Sequence, residues 1–284
     1  MTEAATRTRA GLPPLTTPEP LVSIVTPSFN TGRFIEETLR SVAEQDYPRI
    51  EHIVLDSGST DETPSILARY PALRLVPDPP HGVTAKVNRG FELARGEIVA
   101  WINADDFYLP GAVRKAVDAF LEAPEVALVY CNYLDVDADS VEIAHRKSRQ
   151  CTAAELVDEW NWVPHQTAFF RRDALAAVGF LDPRYELVQD WELWIRLAKQ
   201  FPIRYVDDCW AAFRLSAGQR SDAKKYTYWR EARRMTRSHG GRLWSPLVRA
   251  HYGGKARRAS RMLTQREFRT FLAKLRDFVL SRRR

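Results

Sequence analysis

Through the first third of the chain, short apolar runs alternate with longer stretches whose apolar positions recur at helical spacing. Leu21-Val22-Ser23-Ile24-Val25-Thr26 is rich in β-branched side chains and predicts a strand that stops at Pro27. Phe34, Ile35, Leu39 and Val42 then share one face of a helix. His52-Ile53-Val54-Leu55 predicts a second strand, ended by the polar turn Asp56-Ser57-Gly58-Ser59-Thr60-Asp61. Pro64 stands at the start of a helix carrying Ile66, Leu67 and Tyr70. Leu73-Arg74-Leu75-Val76 predicts a third strand, a helix follows over 86–95, and Ile98-Val99-Ala100-Trp101-Ile102 predicts a fourth. Strand, helix, strand, helix in this order argues for a parallel α/β sheet covered by helices on both faces.

The second half is less regular. Val126-Ala127-Leu128-Val129-Tyr130 and Ala168-Phe169-Phe170 predict strands, and Thr152 with Glu155 has the spacing of a capping box. Asp190 is placed to cap a helix carrying Leu193, Trp194, Leu197 and Ala198. Near the end, Phe268, Phe271, Leu272, Leu275, Phe278 and Val279 recur at helical spacing among Arg266, Arg269, Lys274 and Arg276. Such a basic amphipathic helix suits either an anionic membrane surface or packing on the rest of the protein.

Composition narrows the class. A chain of 284 residues with 45% hydrophobic and 27% charged residues is an ordinary globular protein. No run approaches the roughly 20 apolar residues needed to span a bilayer, and residues 1–20 lack the apolar core of a secretory signal. The three cysteines, Cys131, Cys151 and Cys209, form no CxxC pair and read as buried thiols in a reducing, cytoplasmic setting. The net charge of +6 points to an anionic partner or surface, but no nucleic-acid-binding module accompanies it.

Ligands of open parallel sheets bind beyond the carboxyl ends of the strands. Three predicted strands end in polar segments: Thr26-Pro27-Ser28-Phe29-Asn30, Asp56-Ser57-Gly58-Ser59 and Asn103-Ala104-Asp105-Asp106. Two adjacent carboxylates after a hydrophobic strand suit a hard cation such as Mg²⁺ or Mn²⁺, held together with substrate phosphates. On spacing alone, a loop in which Asp105 caps the next turn is an equal alternative. No GxGxxG follows the first strand, which disfavours a dinucleotide site. Ser28-Phe29-Asn30-Thr31-Gly32-Arg33 is too poor in glycine for a sugar nucleotidyltransferase loop.

These segments, with Asn88-Arg89-Gly90, Ala94-Arg95-Gly96-Glu97, Pro164-His165-Gln166-Thr167 and Gln189-Asp190-Trp191-Glu192, run in the order of a known family. Over about residues 21–220 the chain resembles the family 2 inverting glycosyltransferases of the GT-A fold. The resemblance implies a mostly parallel sheet flanked by helices, with a C-terminal helical appendage. It implies a flexible leader over 1–20 and a catalytic domain over 21–220, with a nucleotide-binding half to about 110 and an acceptor half beyond it. A basic helical segment would follow over 221–284. Asp56 matches the acid that contacts the nucleotide base, with Pro27, Phe29, Asn30, Ser57, Asn88, Arg89 and Asn103 around the same nucleotide. Asp105 and Asp106 match the metal motif and Asp190 the catalytic base. Trp160, Trp162, His165, Gln166 and Trp191 fall to the acceptor side. The implied partners are a nucleoside-diphosphate sugar and a glycan or lipid-linked acceptor, with Mn²⁺ or Mg²⁺ as cofactor.

The chain departs from the family pattern at Asn103, where Asp is common, at Ala85-Lys86, at Gln189 and at Ser216. These departures keep open a protein that binds nucleotide sugar or glycan without catalysis. Asp56 as a turn organiser, His165 in a structural hydrogen bond and Trp194 as core remain alternatives for those residues.

Overall fold

The computed structural model describes residues 11–78, 82–215 and 225–242, with Ser245, Pro246 and Arg249. The elements run β1 (Val22–Ser28), α1 (Gly32–Ala43), β2 (Ile50–Asp56), α2 (Thr63–Leu67), β3 (Arg74–Pro77), α3 (Val83–Leu93) and β4 (Ile98–Trp101). There follow β5 (Phe107–Tyr108), α4 (Ala112–Glu122), β6 (Leu128–Val136), β7 (Glu142–Arg146), α5 (Ala153–Asp158), a 3-10 turn over His165–Thr167 and β8 (Phe169–Arg171). The last elements are α6 (Arg172–Val178), α7 (Gln189–Gln200), β9 (Ile203–Arg214) and α8 (Lys225–Ser238).

One sheet holds all nine strands in the order β3-β2-β1-β4-β8-β6-β9-β5, with β7 on the far side of β6. It is parallel across β3, β2, β1 and β4 and mixed thereafter, with β8 antiparallel to both neighbours and β6 parallel to β9. Strand order reverses at β1, so a crevice opens at the carboxyl ends of β1 and β4.

Alternation along the strands sorts the core by face. Val25, Ile53 and Leu55 pack with Val87 and Phe91 of α3 and with Trp194 and Leu197 of α7. Val22 and Ile24 pack on the other face with Val113, Val117 and Phe120 of α4, and Val54 meets Ile35 and Leu39 of α1. Gly90 permits the close approach of α3 to β1, because a Cβ there would lie 2.3 Å from Cγ1 of Val25.

The structure revises two expectations, the end of β1 and the N-cap of α7. β1 continues through Pro27 to Ser28. The Val25 carbonyl accepts from Ile102 and the Ser28 carbonyl from Ser57, so Pro27 faces the β4 side, where β4 has already ended and no donor is needed. Residues 11–20 make contacts with the sheet domain: the Pro13 carbonyl accepts from Arg171, the Thr16 amide and hydroxyl donate to Glu97, and the Pro20 carbonyl accepts from Tyr47. Val188, not Asp190, is the N-cap of α7, which leaves Asp190 inside the first turn.

The capping box at Thr152 and Glu155 is present and is worth about 1 kcal/mol. Cys131 and Cys151 are buried, while Cys209 is only partly covered. Among the described residues no helix is long and apolar enough to cross a membrane. The amphipathic stretch around Phe268–Val279 and the departure at Ser216 lie outside the described residues.

Candidate active site

The carboxyl ends of β1 and β2 carry two interlocked loops. The Asp56 carboxylate accepts from the Ser59 amide at 2.9 Å and the Ser59 hydroxyl at 2.6 Å. Ser59 Oγ in turn accepts from the Asn30 amide at 2.8 Å, and Asn30 Oδ1 accepts from the Thr60 amide at 2.8 Å. Asn30 takes a left-handed backbone, φ 50°, a conformation that Asn tolerates better than most residues. Asp56 thus organises its own turn, and Ser57 lies buried beneath it. Phe29 projects from the rim, 52% exposed. The Lys86 ammonium lies 5.7 Å from its ring centroid and donates to the Ser28 carbonyl at 2.9 Å. A fixed cation therefore stands beside the loop ends.

Not every expected nucleotide residue reaches this rim. Pro27 is buried within β1 and lies under the surface. The Asn88 amide is committed to the Leu181 backbone, donating at 2.8 Å and accepting at 2.9 Å. Arg89 is exposed and paired with Glu92 at 3.1 Å. Asn88 ties α3 to the loop before α7, while Arg89 belongs to a solvated helix face.

Beyond β4 the acidic segment folds into a buried polar network. Asp106 is 0% exposed. Its Oδ1 accepts from the Arg214 amide at 3.1 Å, and its Oδ2 lies 3.4 Å from Asn103 Nδ2 and 3.5 Å from His165 Nε2. With Oδ1 held by the Arg214 amide, Asp106 supports the site from below. Asp105 is half-buried. Burial first, then the adjacent Asp106 charge, push its carboxyl up to about 7. A divalent cation would relieve that repulsion, so a site made of one carboxylate plus donor phosphates fits the residues present. Among the described residues no group of three His, Cys, Asp or Glu gathers to form an all-protein site.

His165 stacks on Trp101, ring centroids 5.2 Å apart. The Trp101 indole N–H donates to Asn103 Oδ1 at 3.1 Å, which orients the amide with Nδ2 toward His165 Nε2 at 2.8 Å. That contact suits a neutral imidazole. Burial also disfavours the charged ring, but the hydrogen bond and charge of Asp106, then the charges of Asp190 and Asp105, outweigh burial and raise its proton affinity. Protonation of His165 would therefore require the Asn103 amide to turn.

Asp190 occupies the first turn of α7, where the helix dipole favours an anion. Burial nevertheless raises its carboxyl above the usual range, opposed by the His165 charge and by hydrogen bonds from the Trp191 amide and Asn161. Asn161 Nδ2 donates to Asp190 Oδ2 at 3.2 Å. Asn161, Trp160 and Trp162 also line an open cleft of about 390 Å³ together with Tyr133, Arg146 and Phe213. Trp191 and Gln166 do not line it. Trp191 is buried, its indole N–H donating to the Leu156 carbonyl at 2.7 Å, and Gln166 is buried in the 3-10 turn.

Two residues of the site carry no motif signal. Arg214, 1% exposed, donates from Nε to the Asp105 carbonyl at 2.9 Å and from Nη1 to the Asp137 carbonyl at 3.0 Å, and it pairs with Glu37. It thereby clamps the acidic segment to the end of β9. Tyr228 on α8 is close enough to Asp190 for that charge, after burial, to raise its phenol. The adjacent Trp229 packs on Trp160 at 6.2 Å between ring centroids. A helix far along the chain thus closes one side of the Asp190 region, which local patterning does not reveal.

The model of glycosyl transferase family 2 matches residues 23–179, more than half of the chain, and the protein belongs to that family. An uncharacterized protein of Mycobacterium tuberculosis is 31% identical over 210 residues, 66% of this chain and 65% of the relative. Chondroitin synthase of Escherichia coli is 26% identical over 192 residues, 66% of this chain but 28% of that protein. The chain therefore spans less than two thirds of the length of either. In fold it is similar to S. aureus TarS 1-349 in complex with UDP-GlcNAc, with a TM-score of 0.61 and 18% identity over 81% of this chain and 69% of that one. It is also similar to the mannosyltransferase PcManGT from Pyrobaculum calidifontis in complex with GDP-Man and Mn2+, with a TM-score of 0.59 and 20% identity over 92% and 85% of the two chains.

Proposed function

We propose that the protein transfers a sugar from a nucleoside-diphosphate donor to a hydroxyl acceptor with inversion at the anomeric carbon. The supporting observation is that His165 lies 3.5 Å from Asp106 while its neighbour Pro164 lines the same cleft as Asn161, the residue that donates to Asp190, which supports donor-side and acceptor-side carboxylates sharing one site. The donor class is supported by family membership and by neighbours in complex with UDP-GlcNAc and GDP-Man. In this reading residues 21–110 hold the nucleotide and residues 111–220 the acceptor. Phe29 and the Asp56 turn receive the base and ribose, and Lys86 adds a positive charge beside them.

Asp105 would hold a divalent cation, Mn²⁺ or Mg²⁺, which when bound stabilises negative charge on the leaving diphosphate as a Lewis acid. Asp190 accepts the proton of the acceptor hydroxyl as it attacks, and its raised proton affinity brings it nearer the pH at which a base is most effective. Asn161 orients that carboxylate. A single displacement inverts the anomeric centre and requires no protein nucleophile. The acceptor is a glycan or a lipid-linked saccharide, and the basic stretch near Phe268–Val279 is a candidate for contact with an anionic membrane surface.

The test is turnover of a panel of nucleoside-diphosphate sugars with divalent metal, read as released nucleoside diphosphate and as the anomeric configuration of the product. Asp190→Asn should lower kcat by about 100-fold or more and leave nucleotide binding unchanged. Retention of configuration, or a variant as active as the wild type, would contradict the assignment.

A further inference from the structure

The cleft beside Asp190 has a chemical character that sugar transfer in general does not require. Trp160, Trp162 and Tyr133 give it aromatic lining, and Arg146, Lys147 and Ser148 line it as well. Aromatic faces suit the apolar faces of sugar rings. Asn161 lines the same cleft and bonds Asp190, so a saccharide lying there has one end beside the proposed base.

The two cations are presented differently. Asp135, its side chain 5% exposed, grips the Arg146 Nε edge at 2.5 Å. This holds the guanidinium while its terminal nitrogens have no hydrogen-bond partner among the described residues. A fork fixed in this way is prepared for a second, bidentate anion. Lys147 is exposed and forms no ion pair among the described residues, although its charge is felt by Asp207, whose carboxylate already accepts from Asn132 and Tyr205. The nearby Arg149, by contrast, is spent on Glu155, Glu159 and the face of Trp162. With Asp135 as its lining carboxylate against Arg146 and Lys147, the cleft keeps a surplus positive charge and an open guanidinium fork. A neutral glycan can accept hydrogen bonds from both groups, but only an anion also compensates their charge.

We infer that this cleft is an acceptor subsite for an acidic saccharide, with a sugar ring against Trp160 and Trp162 and its carboxylate or phosphate met by Arg146 and Lys147. The inference deepens the proposed function and rests on it for the role of acceptor. Recognition of the anion itself depends only on the cleft.

Titration of intrinsic tryptophan fluorescence at low salt tests it. The probes are a glucuronic-acid disaccharide, its carboxyl-reduced counterpart and glucose 6-phosphate. The carboxylate and phosphate arms distinguish the two sources of charge. At least one acidic probe should bind about 10-fold or more tightly than the neutral disaccharide, lose that advantage as salt is raised, and lose most of it in Lys147→Gln. Arg146→Gln would leave Asp135 buried without its partner, so Lys147→Gln and the salt dependence of the wild type carry the test. Equal binding of acidic and neutral probes, or a preference unmoved by both salt and Lys147→Gln, overturns the inference. A parallel thermal titration with nucleoside diphosphates and Mn²⁺ separates the two readings. Nucleotide stabilisation without any saccharide binding removes the acidic subsite alone. Acid-selective binding without nucleotide stabilisation removes the transferase reading and leaves the subsite standing.

Discussion

Replacing Asp105 with Asn should stabilise the metal-free protein at alkaline pH and leave it unchanged in acid. Asn is nearly isosteric, so packing around Arg214 and Asp106 is preserved and the change is chiefly the loss of a charge. In the native state the Asp105 carboxyl is moved from 3.8 to about 7 by burial and by Asp106. Its folded-state proton affinity exceeds the unfolded one, so wild-type stability is complete below about pH 4 and falls as pH rises through about 7. At about 1.4 kcal/mol per pH unit the ceiling is about 4 kcal/mol. Residual exposure and solvent screening reduce the expected gain to about 1–2 kcal/mol. Urea denaturation of both proteins in chelator, at about pH 5 and about pH 8, measures the difference. The gap should open between the two pH values in favour of the variant. A variant less stable than the wild type at the higher pH, or a gap independent of pH, would refute the claim that Asp105 is a charge held under strain for a cation.

Other outcomes follow from the same geometry. Gly90→Ala places a methyl 2.3 Å from Val25 Cγ1 and should cost about 1–3 kcal/mol by overpacking, read as a lower urea midpoint with unchanged m-value; a neutral result would mean α3 moves freely on β1. Arg214→Gln removes a buried clamp on the Asp105 carbonyl, Asp137 and Glu37 and should cost about 3–5 kcal/mol; a loss below about 1 kcal/mol would show that the acidic segment holds its shape unaided. Asn161→Ala withdraws a hydrogen bond from the charged form of Asp190. The acid limb of the pH–rate profile should then move to higher pH, and a shift to lower pH would remove Asp190 as the titrating base.

Much of the nucleotide half was legible because its information is local. Val22, Ile24 and Val25 are buried on both faces of a parallel sheet, so β1 reads as a continuous apolar run, and the polar turn that begins at Asp56 marks where β2 ends. Pro27 misled as a strand terminator because its tolerance depends on where the neighbouring strand stops, which is a tertiary fact. The roles of Asp106 and Trp191 were illegible for a related reason. Adjacent carboxylates look equivalent in sequence, yet the backbone turn buries Asp106 under Arg214 and His165 and leaves Asp105 at the rim. Trp160 and Trp191 likewise share a composition, but Trp191 is drawn into the core by α7 while Trp160 stays in the loop. Arg214 lies 109 residues from Asp105 in the chain, and Tyr228 is likewise remote in sequence from Asp190, so only packing brings them together.

The most direct measurement is thermal denaturation of the wild type and Asp105→Ala with a panel of nucleoside diphosphates, each with and without Mn²⁺. Ligand at about 100 times its Kd adds about 2.7 kcal/mol to the folded state, enough to move the melting temperature by about 5 °C or more. The account predicts that a nucleoside diphosphate stabilises the wild type only with Mn²⁺ and that Asp105→Ala abolishes the effect. Failure of every nucleotide to stabilise the wild type, or equal stabilisation of the variant, would contradict it.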